Sequence, residues 1–253
     1  MQKQWDIFRT ALMFYTRVPV KNISGWNETM LNKSTRYFPF IGILVGGVSS
    51  LTFWLLFQFL PLPVAILLSM AVSVLFTGAF HEDGFADFCD GFGGGYTPER
   101  TLEIMKDSRI GTYGTIGLVM MLGTKFLALS GLNIERIPLV LIAGNAVSRM
   151  FPVLLIYSSK YARLDETSKT KPVGKADSVF SLLFALVTGL AFLFLFDWHE
   201  VVIGMVVLTF IFFKFRAYTT RKLGGYTGDV LGALQQLCEV FFYLSVLAWQ
   251  NYL

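Results

Sequence analysis

Residues 62–80, LPVAILLSMAVSVLFTGAF, run for 19 positions without a charge. About 20 such residues cross a bilayer's hydrocarbon core as a helix, the conformation that bonds its backbone groups within one segment. Six further segments read the same way: 38–60, 112–132, 137–157, 178–196, 200–213 and 230–250. The segment 200–213 is short and is expected to run on into KFRAY. The chain is 54% hydrophobic and 15% charged, against about 25% charged in soluble domains. The fold class that follows is all-α: a polytopic membrane helical bundle of about seven spans in a lipid bilayer. We read residues 1–253 as one integral membrane domain without an internal repeat.

The connections alternate in character, and the alternation carries the orientation. Those around Pro61, Arg136 and Trp198 are tight, and of the basic residues they hold only Arg136. The segment before the first span and the polar connections 81–111, 158–177 and 214–229 hold 18 of the 21 Lys and Arg residues. Basic residues concentrate on the cytoplasmic side, so the N-terminus and all three long connections are expected there. The net charge of +4 thus reports topology, and no nucleic-acid partner is implied. The first 20 residues do not read as a signal peptide, because Asp6, Arg9 and Arg17 interrupt them. Trp5, Phe8, Leu12 and Tyr15 form one stripe, predicting an N-terminal amphipathic or re-entrant helix. Cys89 and Cys238 have neither metal-ligand nor disulfide-framework spacing and are read as structural.

Against this background HEDGFADFCDGFGGGYTPER, residues 81–100, is anomalous, with four carboxylates in nine residues. On a helix continuing from the second span, Asp83, Asp87 and Asp90 would share one face. Carboxylates that close repel one another, and hard oxygen ligands at a membrane surface suit Mg²⁺, or alternatively Mn²⁺, shared with substrate phosphate. The competing interpretation is a solvated acidic helix end. Gly84 and Gly91 sit among the acids, where a purely structural helix would avoid them. Gly93 to Gly95 read equally as a site for close approach or as the start of a flexible loop.

Three more groups lie on the same side. In MKDSRIGTYG, Asp107 is a candidate for a second metal or for activating a nucleophile. Lys106, Ser108 and Arg109 are candidates for substrate phosphate oxygens, although membrane-flanking cations also occur without such a role. KLGGYTGDVLGA opens the last span, where Thr227 and Gly228 at a helix start offer N–H groups to an anion. Asp229 there could reach the same metals. Lys125, Arg149 and Glu239 fall within spans, where charges are costly. Arg149 is placed for a phosphate in a cavity, and Lys125 for pairing with Glu239. Together these residues point to metal-dependent phosphoryl or phosphodiester transfer, with Asp83, Asp87, Asp90 and Asp107 as the catalytic candidates.

FYTRVPV, RYFPFIGILVGG, HEDGFADFCDGF, EIMKDSRIGTYG and GGYTGDVLGA occur in that order. Over nearly the whole chain the pattern resembles the cobalamin synthase family, adenosylcobinamide-GDP ribazoletransferase. The resemblance implies a bacterial inner-membrane enzyme using Mg²⁺. It would join α-ribazole, or its 5′-phosphate, to adenosylcobinamide-GDP and release GMP, completing the cobalamin nucleotide loop. The family's acidic motifs fall on Asp83, Asp87, Asp90, Asp107 and Asp229, with Asp87 or Asp90 as the base. Glu82 stands where the family is expected to be apolar; it points away from Asp83's face and is assigned to substrate binding as an added acid. CDP-alcohol phosphotransferases share part of the acidic pattern but not its downstream half, and are the enzyme alternative. A seven-span transporter is the alternative of another class. Self-association is left open.

Overall fold

The computed structural model describes residues 2–21, 23, 25–162 and 175–252; the basic residues Arg163, Lys169 and Lys171 of the second polar connection lie outside them. Among the described residues there are eleven α-helices and no strand. They are α1 (Gln2–Tyr15), α2 (Glu28–Ser34), α3 (Phe38–Phe57), α4 (Leu62–Thr77), α5 (Phe80–Gly94), α6 (Pro98–Ile104), α7 (Thr112–Ser130), α8 (Ile137–Ser158), α9 (Val179–Leu190), α10 (Trp198–Leu223) and α11 (Gly228–Tyr252). Five continuous helical stretches, containing α3, α7, α8, α10 and α11, are long and apolar enough to span. The α4–α5 pair makes a sixth if counted as one bent span, and α9 with its following 3-10 turn is a shorter apolar segment. The chain is therefore an all-α polytopic membrane bundle. The short sixth segment continues to Leu223, while the fifth leaves the α-helix at Leu190.

The acid-bearing stretch is not a continuation of the second span, nor is 81–111 mainly loop. The chain bends by 89° between α4 and α5. Gly78 (φ +69°) and Ala79 (φ +58°) both adopt the left-handed conformation. Their N–H groups bond back to Leu75 O (3.1 Å) and Val74 O (2.8 Å), satisfying carbonyls that the helix end would otherwise leave open. A residue with a Cβ is strained in that conformation, by roughly 1–2 kcal/mol; Ala79 bears this cost to turn α5 across the bundle.

The core is built on close helix crossings. α3 lies against α8 through Gly42 and Gly46, four residues apart, as in small-residue membrane interfaces. A Cβ at Gly42 would overlap the Asn145 carbonyl, and one at Gly46 would lie 2.6 Å from Ile142 Cα. Gly42→Ala should therefore lower the thermal midpoint of the detergent-solubilised protein, costing about 1–3 kcal/mol as overpacking does. Gly47→Ala, where an added Cβ meets nothing within 4 Å, is the control and should cost nothing. Equal behaviour of the two would refute the close crossing.

α1 packs on α3 through three residues of the expected stripe, Tyr15 buried and Phe8 and Leu12 half-buried against the same cluster. Ile7, Ala11 and Tyr15 turn inward and are buried, whereas Trp5 is 59% exposed. Tyr15 stacks on Phe38 at 4.4 Å, and the backbone of Arg17 donates to Phe76 O at 2.8 Å. That contact anchors the chain after α1 at the end of α4, beside the bend.

Candidate active site

α5 crosses the start of α11 at glycine. A Cβ at Gly84 would lie 3.1 Å from Asp229 Cα, and one at Gly232 would lie 3.5 Å from His81 Cα. The missing side chains let the two backbones meet, which sets Asp229 beside the residues that follow and precede Gly84. Asp83 is exposed and Asp87 half-buried on the same helix. Gly93 and Gly94 form the last turn of α5, capped by Gly95. A Cβ on Gly93 would press on the Tyr113 ring at 2.6 Å. The glycine run is thus a packed helix end and not a loop start.

Asp90 is drawn into another role. Its carboxylate accepts the backbone N–H of Gly111 at 2.7 Å and of Gly114 at 2.9 Å. Gly111 begins α7 without a side-chain cap of its own, so Asp90 supplies both the cap and a negative charge at the positive helix end. A Cβ at Gly111 or Gly114 would run into this carboxylate, which accounts for both glycines of GTYG.

Asp107 and Asp90 line an open cleft of about 660 Å³ with Arg100, Glu103, Arg109 and Tyr113. Arg109 donates through Nη2 to Asp107 Oδ2 at 2.8 Å and through Nε to Oδ1 at 3.1 Å. These bonds, joined by the backbone N–H of Arg109, hold the Asp107 carboxyl down at about 2, below the usual 3.8. Its charge is thus present above about pH 2 and lost only below it. Arg109→Ala leaves one backbone donor, so the Asp107 value should rise toward the usual range. Carboxyl NMR titration of the variant should show that rise; an unmoved value would mean that the Arg109 side chain does not hold the carboxyl down. Lys106 and Ser108 are exposed on the same turn.

The glycine-rich turn before α11 has local reasons. Gly224 caps α10 in the left-handed conformation (φ +77°). A Cβ at Gly225 would overlap the Lys160 carbonyl, where Tyr226 pairs with the 160–162 strand-like stretch. Thr227 is fully buried and its hydroxyl accepts Val230 N–H at 3.3 Å, capping α11. Gly228 faces open space.

Beneath α5 lies a polar network that sequence reading located only in part. Lys125 pairs with Glu239 at 3.0 Å and donates to Gln236 Oε1 at 2.5 Å. Gln236 in turn donates to Glu82 Oε1 at 2.9 Å. Tyr243 and Gln235 donate to Glu239 at 2.9 and 2.8 Å. Glu82 is therefore turned inward, away from the Asp83 side, as its helical position predicts. Arg149 does not open onto the acidic surface: it is bonded to Asn145 O and Oδ1 at 2.9 and 2.7 Å. The cavity it shares with Glu82 and Lys125 is about 20 Å³, room for a water and not for a phosphate ester. Asn145, Gln235, Gln236 and Tyr243 were not singled out from the sequence; the adjacent pair of glutamines in mid-span was the available signal.

Among the described residues, no three His, Cys, Asp or Glu residues converge as a ready metal cage. The donors around the Gly84 crossing, Asp83, Asp87 and Asp229, are all hard oxygens on two touching helices. That set fits an ion held by one or two carboxylates and completed by substrate phosphate, not one enclosed by protein alone.

A family model described as Cobalamin-5-phosphate synthase matches residues 7–248. A relative from Shewanella sp. (strain W3-18-1), named adenosylcobinamide-GDP ribazoletransferase, is 42% identical over 97% of this chain and 95% of its own length. One of the same name from Leptospira interrogans serogroup Icterohaemorrhagiae serovar copenhageni (strain Fiocruz L1-130) is 40% identical over 99% and 98%. No solved structure matches the chain.

Proposed function

The chain belongs to the cobalamin-5-phosphate synthase family and is an enzyme of cobalamin biosynthesis, and on that premise we propose that it joins α-ribazole, or its 5′-phosphate, to adenosylcobinamide-GDP with release of GMP, in an Mg²⁺-dependent reaction. The observation that supports the site assignment is the glycine crossing of α5 and α11, which brings the Asp229 backbone against Gly84, next in the chain to Asp83 and about one turn before Asp87. These three aspartates would hold Mg²⁺, or Mn²⁺, whose charge would offset that of the pyrophosphate.

In this reading the ribazole 3′-hydroxyl attacks the phosphorus next to the cobinamide aminopropanol. The new O3′–P bond forms as the bond from that phosphorus to the bridging oxygen breaks, and the bridging oxygen leaves with GMP. Asp87 takes the hydroxyl proton, since both Asp90 oxygens already accept backbone N–H groups. Asp90 keeps the α7 start in place, and Asp107 orients Arg109. Lys106, Ser108 and Arg109 on the exposed turn bind phosphate oxygens, and Thr227 and Gly228 present the α11 start to the same anion. Glu82 and Arg149 act from beneath, by fixing α5 and α8. Such chemistry relies on positioning and charge neutralisation more than on covalent participation. The polar ends face the cytoplasm of an inner-membrane protein in this proposal, as the distribution of Lys and Arg supports.

The test is turnover of adenosylcobinamide-GDP with α-ribazole by purified protein in liposomes, following GMP. Mg²⁺-dependent GMP release with formation of the joined cobamide is expected. EDTA should stop it and added Mg²⁺ should restore it. GMP release unaffected by EDTA would remove the metal from the mechanism, and its absence from folded protein would remove the reaction.

A further inference from the structure

His81 opens the acidic motif and is 1% exposed, yet neither ring nitrogen has a hydrogen-bond partner among the described residues. A buried donor and acceptor left unbonded are costly and call for a cause. Packing alone does not supply one, because the ring lies stacked at 5.4 Å on Phe38 and edge-on at 5.2 Å to Phe80, surroundings that a phenylalanine would suit better. His81 lines a pocket with Phe14, Tyr15, Phe38, Phe80 and Gly228. Apart from the hydroxyls of Tyr15 and Thr35, its polar features are the imidazole and the start of α11. That 25-residue helix begins at Gly228 and presents the positive end of its dipole.

We propose that this pocket receives the flat base of the ribazole acceptor, with His81 hydrogen-bonding the ring nitrogen that is not attached to ribose. The proposal rests on the ribazole reading above and adds the acceptor's subsite to it. The base, a dimethylbenzimidazole, is planar and apolar except for that one accepting nitrogen. A neutral imidazole offers one N–H and one acceptor, and the aromatic walls offer faces and edges to a ring. Asp229 follows Gly228 directly, so a base seated here leaves its ribose beside the carboxylates on α5 and α11. The pocket is about 30 Å³ and must widen to take two fused rings. Phe80 is the movable wall: it is 40% exposed, and its ring contacts with Phe14, Tyr15 and His81 are all edge-on.

Equilibrium binding to the purified full-length protein in nanodiscs tests this. The probes are α-ribazole, the indole riboside in which C–H replaces the free ring nitrogen, and adenosylcobinamide-GDP. His81→Phe keeps an aromatic ring between Phe38 and Phe80 while removing both nitrogens, and His81→Gln restores a donor. His81→Phe should weaken α-ribazole about tenfold, the equivalent of one hydrogen bond, without changing donor affinity. It should bind the two nucleosides alike, whereas wild type prefers α-ribazole and His81→Gln recovers part of that preference. Equal α-ribazole affinity in wild type and His81→Phe overturns the proposal, as does wild type that binds no α-ribazole or does not discriminate. A parallel loss of donor affinity also overturns it, by marking the residue as structural. GMP release by wild type is read separately, so an error in the reaction assignment shows there and not here.

Discussion

Asp83→Asn is expected to lower kcat/KM by roughly 10³-fold, the upper end for removing one charge-stabilising group, while leaving yield and thermal midpoint at wild-type values. The two halves of this prediction come from one fact. Asp83 is exposed on α5, so its substitution opens no cavity and strands no buried partner, and surface changes of that kind stay within about 0.5 kcal/mol. Any loss of activity is then chemical. Asparagine keeps the shape and one carbonyl oxygen but removes the charge that a divalent ion or a pyrophosphate site requires. Wild-type turnover by Asp83→Asn would remove this residue from the reaction and leave Asp87 and Asp229 to account for it.

The largest stability effect should come from the interior. Lys125→Met should destabilise the protein by about 3–5 kcal/mol, the range found when one partner of a buried ion pair is removed. Glu239 would keep its bonds from Tyr243 and Gln235 but lose the ammonium at 3.0 Å. Gln236 would also lose its 2.5 Å donor and with it part of its hold on Glu82 and α5. Lys125→Met with Glu239→Gln should recover most of the loss, because no uncompensated charge then remains. Thermal unfolding of the three proteins in one detergent decides this; a single variant as stable as wild type would mean that the pair contributes no net stability.

Most of the fold was legible because its signals are local. The length of an apolar run, the asymmetry of Lys and Arg, and the spacing of Asp83 and Asp87 are each set within a few turns of chain. The Lys125–Glu239 pair could be anticipated for a related reason, since few charges are available to satisfy one another inside a bilayer. Two of the candidate residues have partners that their spacing along the chain did not indicate. Asp90 looked like the third member of an acidic face, but it caps α7 from 21 residues away. Arg149 looked like a phosphate ligand, but its partner is Asn145 on its own helix.

By itself the sequence determined that this chain is a helical membrane bundle. The cost of unbonded backbone in hydrocarbon allows little else. It also determined which acids stand close together, since helical spacing is a property of the local chain. The tertiary structure decided where those acids point. Two consecutive left-handed residues turn α5 by 89°, and the absent side chains at Gly84 and Gly232 bring it onto α11. Whether a carboxylate there faces solvent, a helix start or a buried glutamine depends on residues as far as 154 positions away. Only packing brings such distant residues together.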